Sequence, residues 1–294
     1  MLDLCQASVI RRLMEEEGIA LKKAYGQNFL INPAVPERIA QECSEKQDAM
    51  ILEIGPGIGC LTSCLARRFR KVVAIEIDTG LIPVLDKTLA EFDNVKVINS
   101  DVMQVDLPAL LREESDGGPV SVCANLPYYI TTPILMRLLE CGASFETITV
   151  MVQAEVASRL TAKPGEEAYG AITAVMGYYG VCRRLFAVSA GNFLPAPKVD
   201  SAVVQLQLYR MPRFCPKDEQ LFFQVIRGAF EQRRKTLVNA LSAKLGQFDK
   251  AQVACAIKAC GFPELVRGER LSTEDFVRLS DALTDGIDAT EKEK

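Results

Sequence analysis

Met50-Ile51-Leu52-Glu53-Ile54-Gly55-Pro56-Gly57-Ile58-Gly59 is the stretch that decides the fold. Five strand-forming residues run into glycines spaced GxGxG, and a helix-compatible segment, residues 61–67, follows. A glycine turn after the first strand is where a doubly wound α/β sheet takes an adenosine cofactor. Working outward, strands are expected at 50–54, 71–77, 95–98, 120–124 and 147–152, each separated from the next by a helix-compatible segment. This alternation predicts a Rossmann-like, mostly parallel sheet covered on both faces. Residues 201–209 alternate in polarity and predict an antiparallel edge hairpin. Residues 1–20 read as an amphipathic helix with Val9, Ile10, Leu13 and Met14 on one side, and residues 26–33 as a loop. After Pro212 and Pro216 the β signal disappears. The expected domains are therefore 1–210, an α/β unit, and 211–280, a small all-helical unit, with a disordered tail over 281–294.

Composition narrows the chemistry. The 294 residues are 49% hydrophobic with a formal net charge of −4, the profile of an ordinary globular chain with a sizeable core. No apolar run is long enough for a membrane span. Met1-Leu2-Asp3-Leu4-Cys5 has neither a basic nor an apolar leader region, so the expectation is a cytoplasmic protein whose ten scattered cysteines stay reduced; it is also expected to be a monomer. There is no histidine. That excludes Ser-His and Cys-His nucleophile systems, imidazole acid–base chemistry and most zinc sites, and no metal site is expected. The acidic balance argues against a general nucleic-acid binder, but Lys22-Lys23, Arg67-Arg68, Arg183-Arg184 and Arg233-Arg234-Lys235 leave room for a local basic face.

The glycine spacing separates two cofactor classes. Dinucleotide folds favour GxGxxG, whose backbone N–H groups cradle a pyrophosphate. Here Pro56 has no N–H to give, which suits a cofactor without phosphate. S-adenosylmethionine is such a molecule, and its positive groups favour nearby carboxylates. Glu76 closes the second strand about 20 residues past the glycines, the place for a ribose-diol acceptor. Asp101 follows the third strand, where its carboxylate can accept from an adenine amine.

After the fourth strand comes Asn125-Leu126-Pro127-Tyr128. It resembles the N-[LP]-P-[YF] motif of amino-group methyltransferases that act on nucleic-acid bases. An exocyclic amine is a poor nucleophile because its lone pair is delocalised into the ring. Two acceptors, the Asn125 side-chain oxygen and the Leu126 carbonyl, can bind its two N–H groups and favour a pyramidal nitrogen, which helps the transition state more than the ground state. Pro127 fixes chain direction and Tyr128 offers a ring for an unstacked adenine. In isolation the same residues also fit an Asx turn followed by a core tyrosine.

Taken in order, Gly26-Gln27-Asn28-Phe29-Leu30, Leu52–Gly57, Asn125–Tyr128, Phe193-Leu194-Pro195, Pro197-Lys198-Val199-Asp200-Ser201, Phe230 with Arg233-Arg234-Lys235, and Arg267-Gly268-Glu269-Arg270-Leu271-Ser272 resemble the bacterial small-subunit ribosomal RNA adenine dimethyltransferases over nearly the whole chain. The resemblance implies dimethylation of two adjacent adenines in a hairpin loop near the RNA 3′ end, with ribosomal RNA or an immature small subunit as partner. It implies that Asn28 and Leu30 close over the cofactor, that Gly55 contacts its methionine part, Glu76 the ribose and Asp101 the adenine, and that Asn125 touches both the cofactor and the reacting region. It places Arg233, Arg234 and Lys235 on RNA phosphates, contacts that fix register without reading sequence. Lys22-Lys23-Ala24-Tyr25 departs from relatives that carry a histidine there. Three alternatives remain: a large-subunit adenine methyltransferase of the resistance type, a ribosome-assembly factor acting mainly by binding, and a nicotinamide oxidoreductase, which Pro56 disfavours.

Overall fold

The computed structural model describes residues 3–19 and 27–292, with side chains described through residue 286. Lys22-Lys23 and Gly26, singled out from the sequence, lie outside the described residues. In chain order the elements are α1 (Ala7–Glu16), β1 (Phe29–Leu30), α2 (Ala34–Cys43), β2 (Met50–Ile54), α3 (Cys60–Ala66), β3 (Lys71–Glu76), α4 (Ile82–Thr88), β4 (Val95–Asn99), α5 (Leu107–Glu114), β5 (Val120–Asn125), α6 (Thr131–Glu140) and β6 (Thr147–Gln153). There follow α7 (Ala154–Thr161), α8 (Ala171–Tyr179), β7 (Gly180–Val188), β8 (Phe193–Leu194), β9 (Ser201–Leu208), α9 (Glu219–Glu231), α10 (Leu237–Lys244), α11 (Lys250–Ala259) and α12 (Thr273–Lys292).

The chain forms two compact units, residues 1–157 with 183–208, and residues 158–182 with 209–294. In the first, a seven-stranded sheet has the order β4-β3-β2-β5-β6-β9-β7. Strands β2 to β6 pair in parallel, as expected, and β9 pairs antiparallel with β6. β2 is buried along its whole length, which is why Met50-Ile51-Leu52 reads as an unbroken apolar run and not an alternating one. β7, which the sequence pattern does not announce, covers the outer side of β9. From β2 the chain moves outward through β3 and β4, then returns to add β5 and β6 on the other side. The switch point therefore lies between the carboxyl ends of β2 and β5, where open α/β sheets bind ligands. β1 and β8 form a separate antiparallel pair, so the expected loop at 26–33 contains a short strand.

The second unit is helical, and two expectations need correction here. Residues 158–182, expected within the 1–210 unit, belong to this unit instead. The reason is packing. Gly177 on α8 lets Thr273 approach until an added Cβ would sit 2.4 Å from its Oγ1, and that hydroxyl donates to the Ala174 carbonyl at 2.9 Å. Tyr178 meets Phe222 and Phe223 with ring centroids 5.1 and 5.4 Å apart. The expected disordered tail is the second correction: α12 continues through residues 281–292. No proline interrupts it, and Leu279 and Leu283, one turn apart, are both buried.

Candidate active site

One cavity at the switch point gathers Asn28, Leu30, Gly55, Glu76, Asp101, Asn125, Leu126, Pro127 and Tyr128. They arrive from the ends of several different elements, and the glycine turn sets the floor. Gly55, Gly57 and Gly59 all adopt positive φ. At Gly59, with φ of 90°, a Cβ would stand 3.0 Å from Leu89 Cδ2 and 3.1 Å from Thr88 Oγ1, so both conformation and space call for glycine.

Glu76, the last residue of β3, is 5% exposed. Its Oε2 accepts from the Gly57 N–H at 3.2 Å and its Oε1 from the Asp78 N–H at 2.8 Å. Burial raises its carboxyl above the ordinary range, opposed by those two backbone donors. Asp78 in turn accepts from Gln27 Nε2 at 2.9 Å, which ties the segment carrying Asn28 to the end of β3. Asp101 Oδ1 accepts from the Met103 N–H at 2.9 Å, fixing the carboxylate within its own turn.

Glu53 also lines the cavity and is not among the residues singled out from the sequence. It is 1% exposed, and its Oε2 has no hydrogen-bond partner among the described residues. Burial, with Glu76 nearby, pushes its pKa up to about 8. The available signal is an acid that interrupts an apolar strand two residues before the first glycine. These observations test the cofactor. The Glu76 and Asp101 carboxyl groups line the cavity beside Glu53, which keeps its proton at neutral pH; Pro56 has no N–H, and the Gly57 N–H is already bonded to Glu76. Such a donor set fits a cationic, phosphate-free molecule such as S-adenosylmethionine.

The reacting motif is built with equal definition. Asn125 ends β5, and its Nδ2 donates to the Asn28 carbonyl at 3.4 Å. The Leu126 N–H donates to the Met151 carbonyl at 3.2 Å. The Pro127 carbonyl accepts from the hydroxyl of Thr131, the first residue of α6, at 3.1 Å. Tyr128 Oη lies 2.7 Å from Ser201 Oγ, and burial pushes the phenol pKa up. On the opposite wall, β8 holds β1 in register, Leu30 against Phe193, and the Ile31 N–H donates to the Asn192 carbonyl at 2.8 Å.

Arg233, Arg234 and Lys235 follow α9 in the second unit and are exposed. Arg233 is committed within that unit: it donates to the Glu167 carbonyl at 2.8 Å and pairs with Glu269 at 3.5 Å. Phe230 is a packing residue between Tyr169 and Phe276. The run at 267–272 packs as well, since a Cβ on Gly268 would lie 2.8 Å from that of Ala229. All ten cysteines are free thiols. Among the described residues no group of three potential ligands is placed to hold a metal ion, and no helix is long and apolar enough to cross a membrane.

The chain is similar to known proteins in both sequence and fold. The sequence profile described as ribosomal RNA adenine dimethylase matches residues 18–285. The chain is 46% identical over 283 residues to the ribosomal RNA small subunit methyltransferase A of Shouchella clausii, covering 96% of each chain. Its structure is similar to that of the 23S rRNA methyltransferase ErmE, with a TM-score of 0.69 and 27% identity over 87% of this chain and all of that one. A dimethyladenosine transferase from Plasmodium falciparum shares the fold, with a TM-score of 0.72 and 24% identity over 85% of this chain and 95% of the other.

Proposed function

The chain belongs to the ribosomal RNA adenine dimethylase family, and from that membership we propose how its residues carry out S-adenosylmethionine-dependent N6,N6-dimethylation of two adjacent adenines in the 3′-end hairpin loop of 16S ribosomal RNA. It is a ribosomal RNA adenine methyltransferase acting on the small subunit. Its partner is the RNA of an immature small subunit, and it works as a monomer without a metal. The observation that carries this reading is the meeting, at one switch point, of an acid-ringed glycine turn and the Asn125–Tyr128 turn.

When bound, S-adenosylmethionine supplies an electrophilic methyl group on a sulfonium. Glu76 takes the ribose hydroxyls, Asp101 the cofactor's adenine amine, and Gly55 permits close approach of the methionine part. Asn28 and Leu30 close the cavity from the β1 side. Asn125 donates its own N–H to the Asn28 carbonyl, so its Oδ1 is left to accept from one N6–H of the target adenine, while the Leu126 carbonyl accepts the other. This pair holds the amine so that its lone pair faces the methyl donor. Tyr128 stacks on the extruded base. The nitrogen is strongly acidic after transfer and gives its proton to solvent, so no imidazole is needed. Arg234 and Lys235 meet RNA phosphates, with Arg233 helping to hold the turn that presents them.

The test is methyl transfer to each ribosomal RNA from cells lacking the modification. Dimethyladenosine in the small-subunit 3′ hairpin is expected. Transfer to large-subunit adenine instead would assign the chain the activity named for ErmE.

A further inference from the structure

We propose that Ser201 is a positioning residue for the methyl-acceptor site, acting through the Tyr128 hydroxyl. The inference rests on the role given to Tyr128 above and extends it to a residue 73 positions away in the chain. Ser201 opens β9, is fully buried, and stands opposite Gln153 at the end of β6. Its neighbours Ala202, Val203 and Val204 are buried and apolar. A hydroxyl at such a position is unfavourable unless it finds a partner. The partner is Tyr128 Oη at 2.7 Å.

The two ends of this bond differ in rigidity. Ser201 sits in the β6–β9 ladder, and the adjoining Asp200 is fixed twice: its carbonyl accepts from the Ala154 N–H and its Oδ1 from the Ala190 N–H, both at 2.9 Å. Tyr128 lies in a turn, half-buried in the cavity wall, where the orientation of its ring is set by two side-chain torsions. Tethering the far end of the ring to the sheet fixes the plane on which an unstacked base can lie. Burial keeps the phenol protonated, so the bond persists across the working pH range. Ser201 does not line the cavity, so its effect must pass through the ring.

The test is a double-mutant cycle of Tyr128→Phe and Ser201→Ala, assayed on small ribosomal subunits from cells lacking the modification. Each single variant removes the same hydrogen bond from a different side and keeps the ring. Each should lower kcat/KM for the subunit about 3- to 10-fold, the usual worth of one hydrogen bond. Cofactor affinity, followed by calorimetry, should not change. The double variant should match either single one, because Ser201 has nothing left to act through. Additive losses, a wild-type rate in Ser201→Ala, or a matching loss of cofactor affinity would overturn the proposal. A wild-type protein that methylates no ribosomal RNA would instead remove the reading of function beneath it.

Discussion

The Gly57 N–H donates to Glu76 Oε2 across 3.2 Å, joining the glycine turn of β2 to the end of β3. One carboxylate thus braces the turn that forms the cavity floor and faces the space beside it. Replacing Glu76 by Ala should weaken S-adenosylmethionine binding about 10-fold or more, since hydrogen bonds to a charged acceptor are the stronger kind. Calorimetry checks this, and an unchanged Kd would remove Glu76 from the cofactor site.

Glu53 makes stability depend on pH. Its folded pKa of about 8 lies above the ordinary value of 4.5. Between those values the folded protein keeps a proton that the unfolded chain releases, so the contribution is fully present below about pH 4.5 and fades as pH rises through 8. Glu53→Gln should flatten the fall in Tm between about pH 5 and pH 8.5 relative to wild type. Parallel melting curves for the two proteins would contradict the assignment.

Gly59→Ala should destabilise the protein by about 1–3 kcal/mol, combining a left-handed φ with the approach of Leu89. Urea denaturation measures it, and a neutral result would mean the turn relaxes at no cost.

Leu283 tests the end of the chain. It is 2% exposed on α12, so Leu283→Ala should cost about 2–3 kcal/mol, as for other buried leucines. A leucine in an irregular tail would show almost no effect in the same denaturation experiment.

For the RNA face, Arg234→Glu with Lys235→Glu should weaken RNA binding and make it less sensitive to salt. The logarithmic salt slope should shrink by about 0.7–0.9 for each phosphate that is no longer neutralised. Arg233→Glu should lower the Tm as well, because it breaks the pairing with Glu269. Affinity unchanged in the Arg234/Lys235 variant would move the RNA-binding face elsewhere.

Local pattern carries the central sheet and both turns of the site. Apolar β-branched runs mark the strands and glycines mark the turn. Glu76, Asp101 and Asn125 each stand at or just past the end of a strand, so their convergence follows from parallel topology alone. What stays hidden depends on tertiary packing. The grouping of α8 with the second unit turns on the fit of Gly177 against Thr273, which no periodicity reveals. The reach of α12 depends on burial of Leu283. Ser201 gains its significance only when β9 pairs beside β6 and brings it to Tyr128. Arg233 reads as one basic residue among three, whereas its bonds to Glu167 and Glu269 set it apart from its neighbours.

The claim at the centre is that Asn125 and Leu126 grip the acceptor amine beside a cofactor held mainly by other residues. Asn125→Ala isolates it, with single-turnover methyl transfer to small ribosomal subunits and S-adenosylmethionine binding measured on the same protein. Transfer should fall about 100-fold or more while the cofactor Kd stays within about 3-fold of wild type. Wild-type transfer, or a loss of cofactor binding large enough to explain the loss of rate, would contradict it.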